Sequence, residues 1–255
     1  MRKLLLKICY DGTAYCGWQV QSNGVTVQQK LCEALFDLLS VKTDVTGCSR
    51  TDSGVHANEF YCHFITDNET ITNKGFVGAL NVRLPNDISV LDCFNVCDDF
   101  HARYDALGKQ YQYKFYLSDV RNPFLDGYAL RIHHPICMDA VREFCDNIVG
   151  THDFAAFSAS GREYESTVRT ITECKIEHND NMYTLSVTGD GFLYNMVRII
   201  AGTALAVSEG RILPQSINTI LEQKNRALAG ATLSPHGLYL NKVFYKEGAL
   251  TVGRI

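Results

Sequence analysis

Positive charge is scarce in this chain. Twenty-four lysines and arginines face 28 aspartates and glutamates, a net charge of −4 over 255 residues. A whole-molecule field that gathers polyanions is thereby excluded, and any nucleic-acid contact must come from a local basic cleft. The deficit lies in the first part: residues 1–105 carry 9 basic against 13 acidic side chains, and the remainder 15 against 15. Paired metal-ligand cysteines are also missing. Ten cysteines are scattered along the chain without a C-x-x-C, and Cys93 and Cys97 have no second ligand pair at zinc-site spacing. Cys9, Cys32 and Cys145 fall inside apolar runs, where cysteine acts as a small hydrophobe, so reduced structural thiols are expected. No apolar run approaches the roughly 20 residues that span a bilayer. The opening Met1-Arg2-Lys3-Leu4-Leu5-Leu6 faintly suggests a signal peptide, but Lys7 and Asp11 interrupt it and no small-residue cleavage site follows. The cytoplasm is the expected location, with no membrane partner. A glycine-rich phosphate loop is absent as well; Thr188-Gly189-Asp190-Gly191 fits no nucleotide motif.

What is present reads as a folded protein. The hydrophobic fraction of 46% and charged fraction of 20% are ordinary for a globular chain with a sizeable core. Two parts with similar grammar are legible, residues 1–105 and 106–255. In the first, a strand-like run over 3–10 precedes Thr26-x-x-Gln29, a capping box opening a helix whose Val27, Leu31, Ala34, Leu35, Leu38 and Leu39 share one face. Strands are expected over 43–49 and 58–66, a short helix over 74–80 and a strand over 88–96. In the second, Tyr111, Tyr113 and Phe115 alternate with Gln112 and Lys114 over 109–117. A helix should follow from Met138 with Gly150 as its cap, then a strand pair over 169–177 and 182–189. Residues 192–209 read as a helix apolar on nearly all sides, ended by Gly210; Pro214 suits the first turn of another, and a strand over 238–245 closes the chain. This order predicts an α+β fold of two units with helices packed on sheet faces. A duplicated RRM-like unit fits it, although no residue-level repeat is visible.

One polar turn stands out. Gly47-Cys48-Ser49-Arg50-Thr51-Asp52-Ser53-Gly54-Val55-His56-Ala57 places a single carboxylate, Asp52, between two apolar runs, with Arg50 two residues before it and His56 four after. Taken alone, an aspartate there serves its own turn by accepting from nearby amides. However, Arg50-Thr51-Asp52-Ser53-Gly54-Val55-His56 resembles the nucleophile motif Gly-Arg-Thr-Asp-x-Gly-Val-His of the tRNA pseudouridine synthase A family, with Ser49 in place of the glycine. Further matches follow in family order. They are Tyr10-Asp11-Gly12-Thr13 with Gly17-Trp18-Gln19, Leu80-Asn81 with Leu84-Pro85 and Ile88, and Phe100-His101-Ala102-Arg103-Tyr104 with Tyr111-Gln112-Tyr113. Asp153-Phe154 with Phe157, Arg169-Thr170-Ile171, Met196-Val197-Arg198 and Gly237-Leu238-Tyr239-Leu240 complete a series covering nearly the whole chain.

The resemblance implies two RRM-like units whose antiparallel sheets join across a central cleft, helices outermost, in a homodimer. It implies isomerisation of uridines 38, 39 and 40 in the anticodon arm of transfer RNA, with Asp52 as nucleophile and Tyr111 stacked on the uracil. That reaction breaks C1′–N1 and rejoins the ring through C5 without redox change or group donor, so no cofactor is expected. Arg198 interrupts an apolar helix; a guanidinium stays charged at ordinary pH and needs a partner when buried. Two readings are open for it, bonds to backbone carbonyls near the helix end or, as in the family, a counter-ion for Asp52 that would depress its pKa. Leu240 is either a pocket wall or a core leucine, Tyr111 an active-site or packing aromatic. Arg50 is the candidate for the space or phosphate of a flipped nucleotide. His56 shapes the turn or meets RNA, and Trp18 is a core plug or part of an RNA-facing surface. Candidate basic contacts are Arg50, Arg103, Lys109, Lys114, Arg162, Arg169 and Arg198, and residues 158–168 form a polar loop able to meet RNA. Two other classes stay open on the residues alone: a noncatalytic RNA-binding module, and a small-molecule enzyme using Asp52 with His56.

Overall fold

The computed structural model describes residues 1–161 and 163–250, so Arg162 lies outside the described residues. Within them are ten strands and five α-helices, a mixed α and β architecture. The chain divides into two compact units, one of Met1–Leu107 together with the stretch from Leu240 onward, the other Gly108–Tyr239.

In the first unit β1 (Arg2–Tyr10) lies between β3 (His56–Thr66) and β4 (Ile88–Val96), antiparallel to both. Leu4, Leu5 and Leu6 are all fully buried, as a central strand covered on both faces requires. The short β2 (Thr46–Gly47) pairs with β3, and β10 (Leu238–Tyr245) follows β3 in the strand order. Helix α1 (Val27–Leu39) begins where Thr26 Oγ1 accepts from the Gln29 amide at 3.3 Å, and it buries Val27, Leu31, Ala34 and Leu35. The Gln29 side chain turns toward Glu33, to whose Oε1 its Nε2 donates at 2.8 Å, rather than back to Thr26. Helix α2 (Asn73–Asn81) is capped by Thr72 and presses Phe76 edge-on against Phe64 of β3.

The second unit has the strand order β5 (Ala106–Leu117), β9 (Met182–Gly189), β8 (Val168–Asn179), β7 (Gly150–Asp153), each pair antiparallel. β6 (Leu130–Ile132) runs parallel to β5, so the expectation of wholly antiparallel pairing fails there. The turn of the β8–β9 hairpin uses Asp180 at φ 53°, a conformation that aspartate tolerates better than most residues. Helices α3 (Met138–Ile148), α4 (Met196–Ser208) and α5 (Ser216–Gln223) complete the unit, with α3 packed on β8, α4 and α5. Ten of the 13 residues of α4 are buried, matching its all-round apolar sequence. It starts four residues later than its apolar run, because Asn195 sits in the left-handed region at φ 59° and blocks helix before it. No helix among the described residues is long and apolar enough to cross a membrane.

Candidate active site

In the first unit the Asp52 loop is held between the end of β1 and the chain entering α1. Close approach is possible because two neighbours lack a Cβ. One on Gly12 would sit 2.0 Å from Val55 O, and one on Gly17 (φ 83°) 2.4 Å from Thr51 O. The Trp18 amide donates to Thr51 O at 3.2 Å, the Gly54 amide to Tyr15 O at 3.2 Å, and the Tyr10 hydroxyl pairs with Thr51 Oγ1 at 2.8 Å. The Val55 amide donates to the Asp52 carbonyl at 3.2 Å, closing a turn with Gly54 at φ 77°. The loop is therefore fixed by its backbone, and the Asp52 side chain is half-buried rather than entombed. Arg50 is exposed on the same loop.

His56 is 2% exposed, and its Nδ1 lies 3.1 Å from both the Gly12 amide and Asp11 Oδ1. One nitrogen cannot accept from an amide and donate to a carboxylate at once. In the geometry here Nδ1 accepts from the Gly12 amide. Its position fits turn-shaping. Trp18 is 1% exposed and stacks on Phe60 with centroids 4.1 Å apart, so it is a core plug; Gly47 leaves room for its indole edge.

A polar cleft of about 190 Å³ opens beside this loop, lined by Gln19, Gln28, Ser49, Arg50, His101, Arg103 and Tyr104 over a floor of Trp18 and Gly47. It holds two guanidiniums and no carboxylate. A larger groove of about 620 Å³ runs along α1 but carries Glu33, Asp37 and Asp44 against Lys42. A polyanion is repelled there and drawn to the smaller cleft.

In the second unit Tyr111 is 7% exposed and sets its ring edge-on to Phe192, centroids 5.1 Å apart. Arg198 lies near the start of α4. Its Nε donates to Leu233 O at 2.6 Å and its Nη1 to Asn195 Oδ1 at 2.7 Å, while the Leu233 amide returns to Arg198 O at 3.4 Å. The helix-to-strand segment around Leu233 is clamped on α4 because Gly202 and Gly230 let the backbones touch; a Cβ on Gly202 would meet Ala231 O at 1.9 Å. The backbone-carbonyl reading of Arg198 is thus realised in part, with an amide side chain added. Two N–H groups of five are used in this pair, and both acceptors are uncharged. Burial pushes the Tyr113 hydroxyl pKa well up, and the Arg198 guanidinium opposes this only in part. Lys114 lies 3.9 Å over the Tyr239 ring, and burial lowers its pKa. Leu240 is fully buried in β10.

The structure thus brings Arg50 and Asp52 onto one fixed loop and gathers Arg50 with Arg103 in one cleft. Tyr111 and Arg198 are placed in the other unit, on β5 and α4. Arg169 turns to the Ser166 carbonyl at 2.9 Å. Asn195 and Leu233, which orient Arg198, were not anticipated; asparagine before a helix was the available signal for the first. All ten cysteines are free thiols, and the described residues contain no group of three or more potential metal ligands from His, Cys, Asp and Glu.

Comparison with known proteins decides the family. The chain is 45% identical over 246 residues to tRNA pseudouridine synthase A of Clostridium acetobutylicum, covering 96% of this chain and all of the relative. The chain belongs to the tRNA pseudouridine synthase A family. Its relatives from Acetivibrio thermocellus (43% over 245 residues) and Geobacter sp. strain M21 (44% over 248) likewise match over their full length, with 96% and 97% of this chain covered. The sequence profile described as tRNA pseudouridine synthase matches residues 144–246. That profile covers Arg198 and not the Asp52 loop, whereas the full-length relatives align over 96–97% of this chain.

Proposed function

We propose that the protein is a tRNA pseudouridine synthase, an isomerase, in which Asp52 is the nucleophile. The observation that carries this reading is the Asp52 loop: a half-buried carboxylate on a backbone pinned by Gly12, Gly17, Trp18 and Tyr15. A loop fixed this way holds its reacting group without loss of entropy at each turnover. The reaction detaches uracil from C1′ at N1, rotates it, and forms C1′–C5; the C5 proton leaves and N1 regains one. As nucleophile Asp52 forms a transient bond to the reacting nucleotide, at the sugar C1′ or at the uracil ring, and that bond breaks again as C1′–C5 is made. By the family resemblance Tyr111 would supply the aromatic surface for the uracil and Arg198 a positive charge for the reacting carboxylate. Arg50 holds the flipped nucleotide, while Leu240, fully buried, presents no surface to it and packs as a core leucine. Flipping costs a few kcal/mol of unpairing and unstacking, which contacts to the RNA backbone must offset.

The same family membership supports the finer readings: uridines 38, 39 and 40 of the anticodon arm as targets, a pair of chains as the working form, and action in the cytoplasm. The order β4–β1–β3 with β2 beside β3, and helices after β1 and β3, supports an RRM-like first unit. The test uses unmodified transfer RNA tritiated at uridine C5, purified protein and no additive. Tritium should pass to water with the wild type and not with Asp52→Asn, which should still bind RNA. Wild-type release by Asp52→Asn would remove Asp52 from the chemistry, and binding without release by the wild type would leave a noncatalytic RNA binder.

A further inference from the structure

We propose that the cleft beside Arg50 is a second nucleotide subsite. It would take an unpaired nucleotide of the RNA other than the one that reacts, its base on Tyr104 and its phosphate on Arg103. The inference rests on the RNA-modifying reading above. Tyr104 is 75% exposed, an unusual state for a large ring, yet its position is fixed. Residues 101–105 form a tight turn: the Asp105 amide donates to His101 O at 3.0 Å, and the His101 amide to Asp105 Oδ2 at 2.7 Å. His101 Nδ1 accepts from the amides of Arg103 and Tyr104 at 3.1 and 3.3 Å. The His101 ring is set edge-on to His63 at 5.1 Å and leans against Tyr104 at 4.2 Å and 31°. The Arg103 guanidinium lies 5.9 Å from the Tyr104 centroid.

The result is an aromatic plate backed by an imidazole, with a guanidinium at its side, on the rim of a cleft free of carboxylates. A flat ring needs the plate and an anion needs the guanidinium; a nucleotide supplies both. Stacking on a preorganised ring costs little ordering entropy and is tolerant of sequence, as suits a nucleotide read for its unpaired state. Arg50 lines the same cleft and belongs to the Asp52 loop, so an occupant would neighbour the reacting nucleotide. Ser49, where the family motif has glycine, adds a hydroxyl to this wall.

The test compares Tyr104→Ala, Tyr104→Trp and Arg103→Gln with the wild type on an unmodified transfer RNA transcript. Tyr104→Ala should weaken binding about 5- to 150-fold, the range for loss of one stacked base, with the loss falling on KM rather than kcat. Tyr104→Trp should restore affinity, as no purely structural role of the phenol would allow. Arg103→Gln should reduce the slope of log affinity against log salt by about 0.7, one single-stranded phosphate contact. Wild-type affinity in Tyr104→Ala, or a loss in Tyr104→Trp equal to that of alanine, would overturn the subsite. Pseudouridine formation is read on the same wild-type preparation. Its absence would sink the synthase reading, while the affinity ratios would still decide the subsite.

Discussion

At the scale of single residues, the Arg198 side chain shows how a charge is placed in an apolar helix. It spans two acceptors from different segments, Leu233 O and Asn195 Oδ1, and a planar fork reaches both with one rigid group. Lysine keeps the charge and loses the span. Arg198→Lys should therefore destabilise the fold by about 1–2 kcal/mol, since one acceptor is left without its donor, and should slow tritium release by more than that loss explains. Thermal melts read the first effect and single-turnover assays the second. A variant as stable and as fast as the wild type would show that charge alone matters at this position. The sequence announced the arginine but not its acceptors, because Leu233 offers a backbone carbonyl that no side-chain pattern encodes.

At the scale of elements, glycines decide how closely the Asp52 loop can sit. Gly17→Ala would force a Cβ against Thr51 O at a positive φ, and the loop would have to move. A loss of about 1–3 kcal/mol is expected, with activity falling further because the nucleophile moves too. Gly78, exposed within α2, has nothing within 4 Å of an added Cβ. Gly78→Ala should gain roughly 0.5–1 kcal/mol, so opposite changes in melting temperature from the same substitution would check both accounts. Equal effects of the two would remove the packing argument. Legibility also varied by element. The strands over Ile88–Val96, Met182–Gly189 and Leu238–Tyr245 were readable to the residue or nearly so, because long alternating or apolar runs carry their own period. The strand expected over 43–49 shrank to Thr46–Gly47, since Cys48 bonds to Tyr61 by amide and sulfur while the chain turns away. β6 and β7, of three and four residues, were not anticipated; such short pieces are fixed by their partners rather than by pattern. Gly150, at φ 124°, directly follows Val149, the C-cap of α3, and also opens β7.

At the scale of the whole molecule, the acidic balance read from composition proved to be an average over unlike surfaces. Carboxylates collect on the α1 groove while arginines collect at the cleft beside Asp52, a segregation that only the fold creates. The same folding alters titration. His63, buried on β3, accepts the Ala102 amide at Nδ1 (3.1 Å), and its pKa falls to about 4 through burial first, then His101 and Lys3, with Asp105 opposing. Unfolded, this imidazole protonates near its ordinary value of about 6.5. Between those pH values the unfolded chain holds a proton that the folded chain lacks, so stability rises with pH through this window and is fully present above it. Acidification from pH 7 to 5 should thus cost on the order of 1–2 kcal/mol after allowance for partial solvent screening, before most carboxylates titrate. His63→Gln keeps an acceptor for the Ala102 amide and removes the titration, so its denaturant midpoint should change less over the same interval. Identical pH profiles for the two proteins would show that His63 is not the group responsible. A flatter profile in the variant, with equal stability at pH 5, would tie acid sensitivity of the unit carrying Asp52 to this one ring.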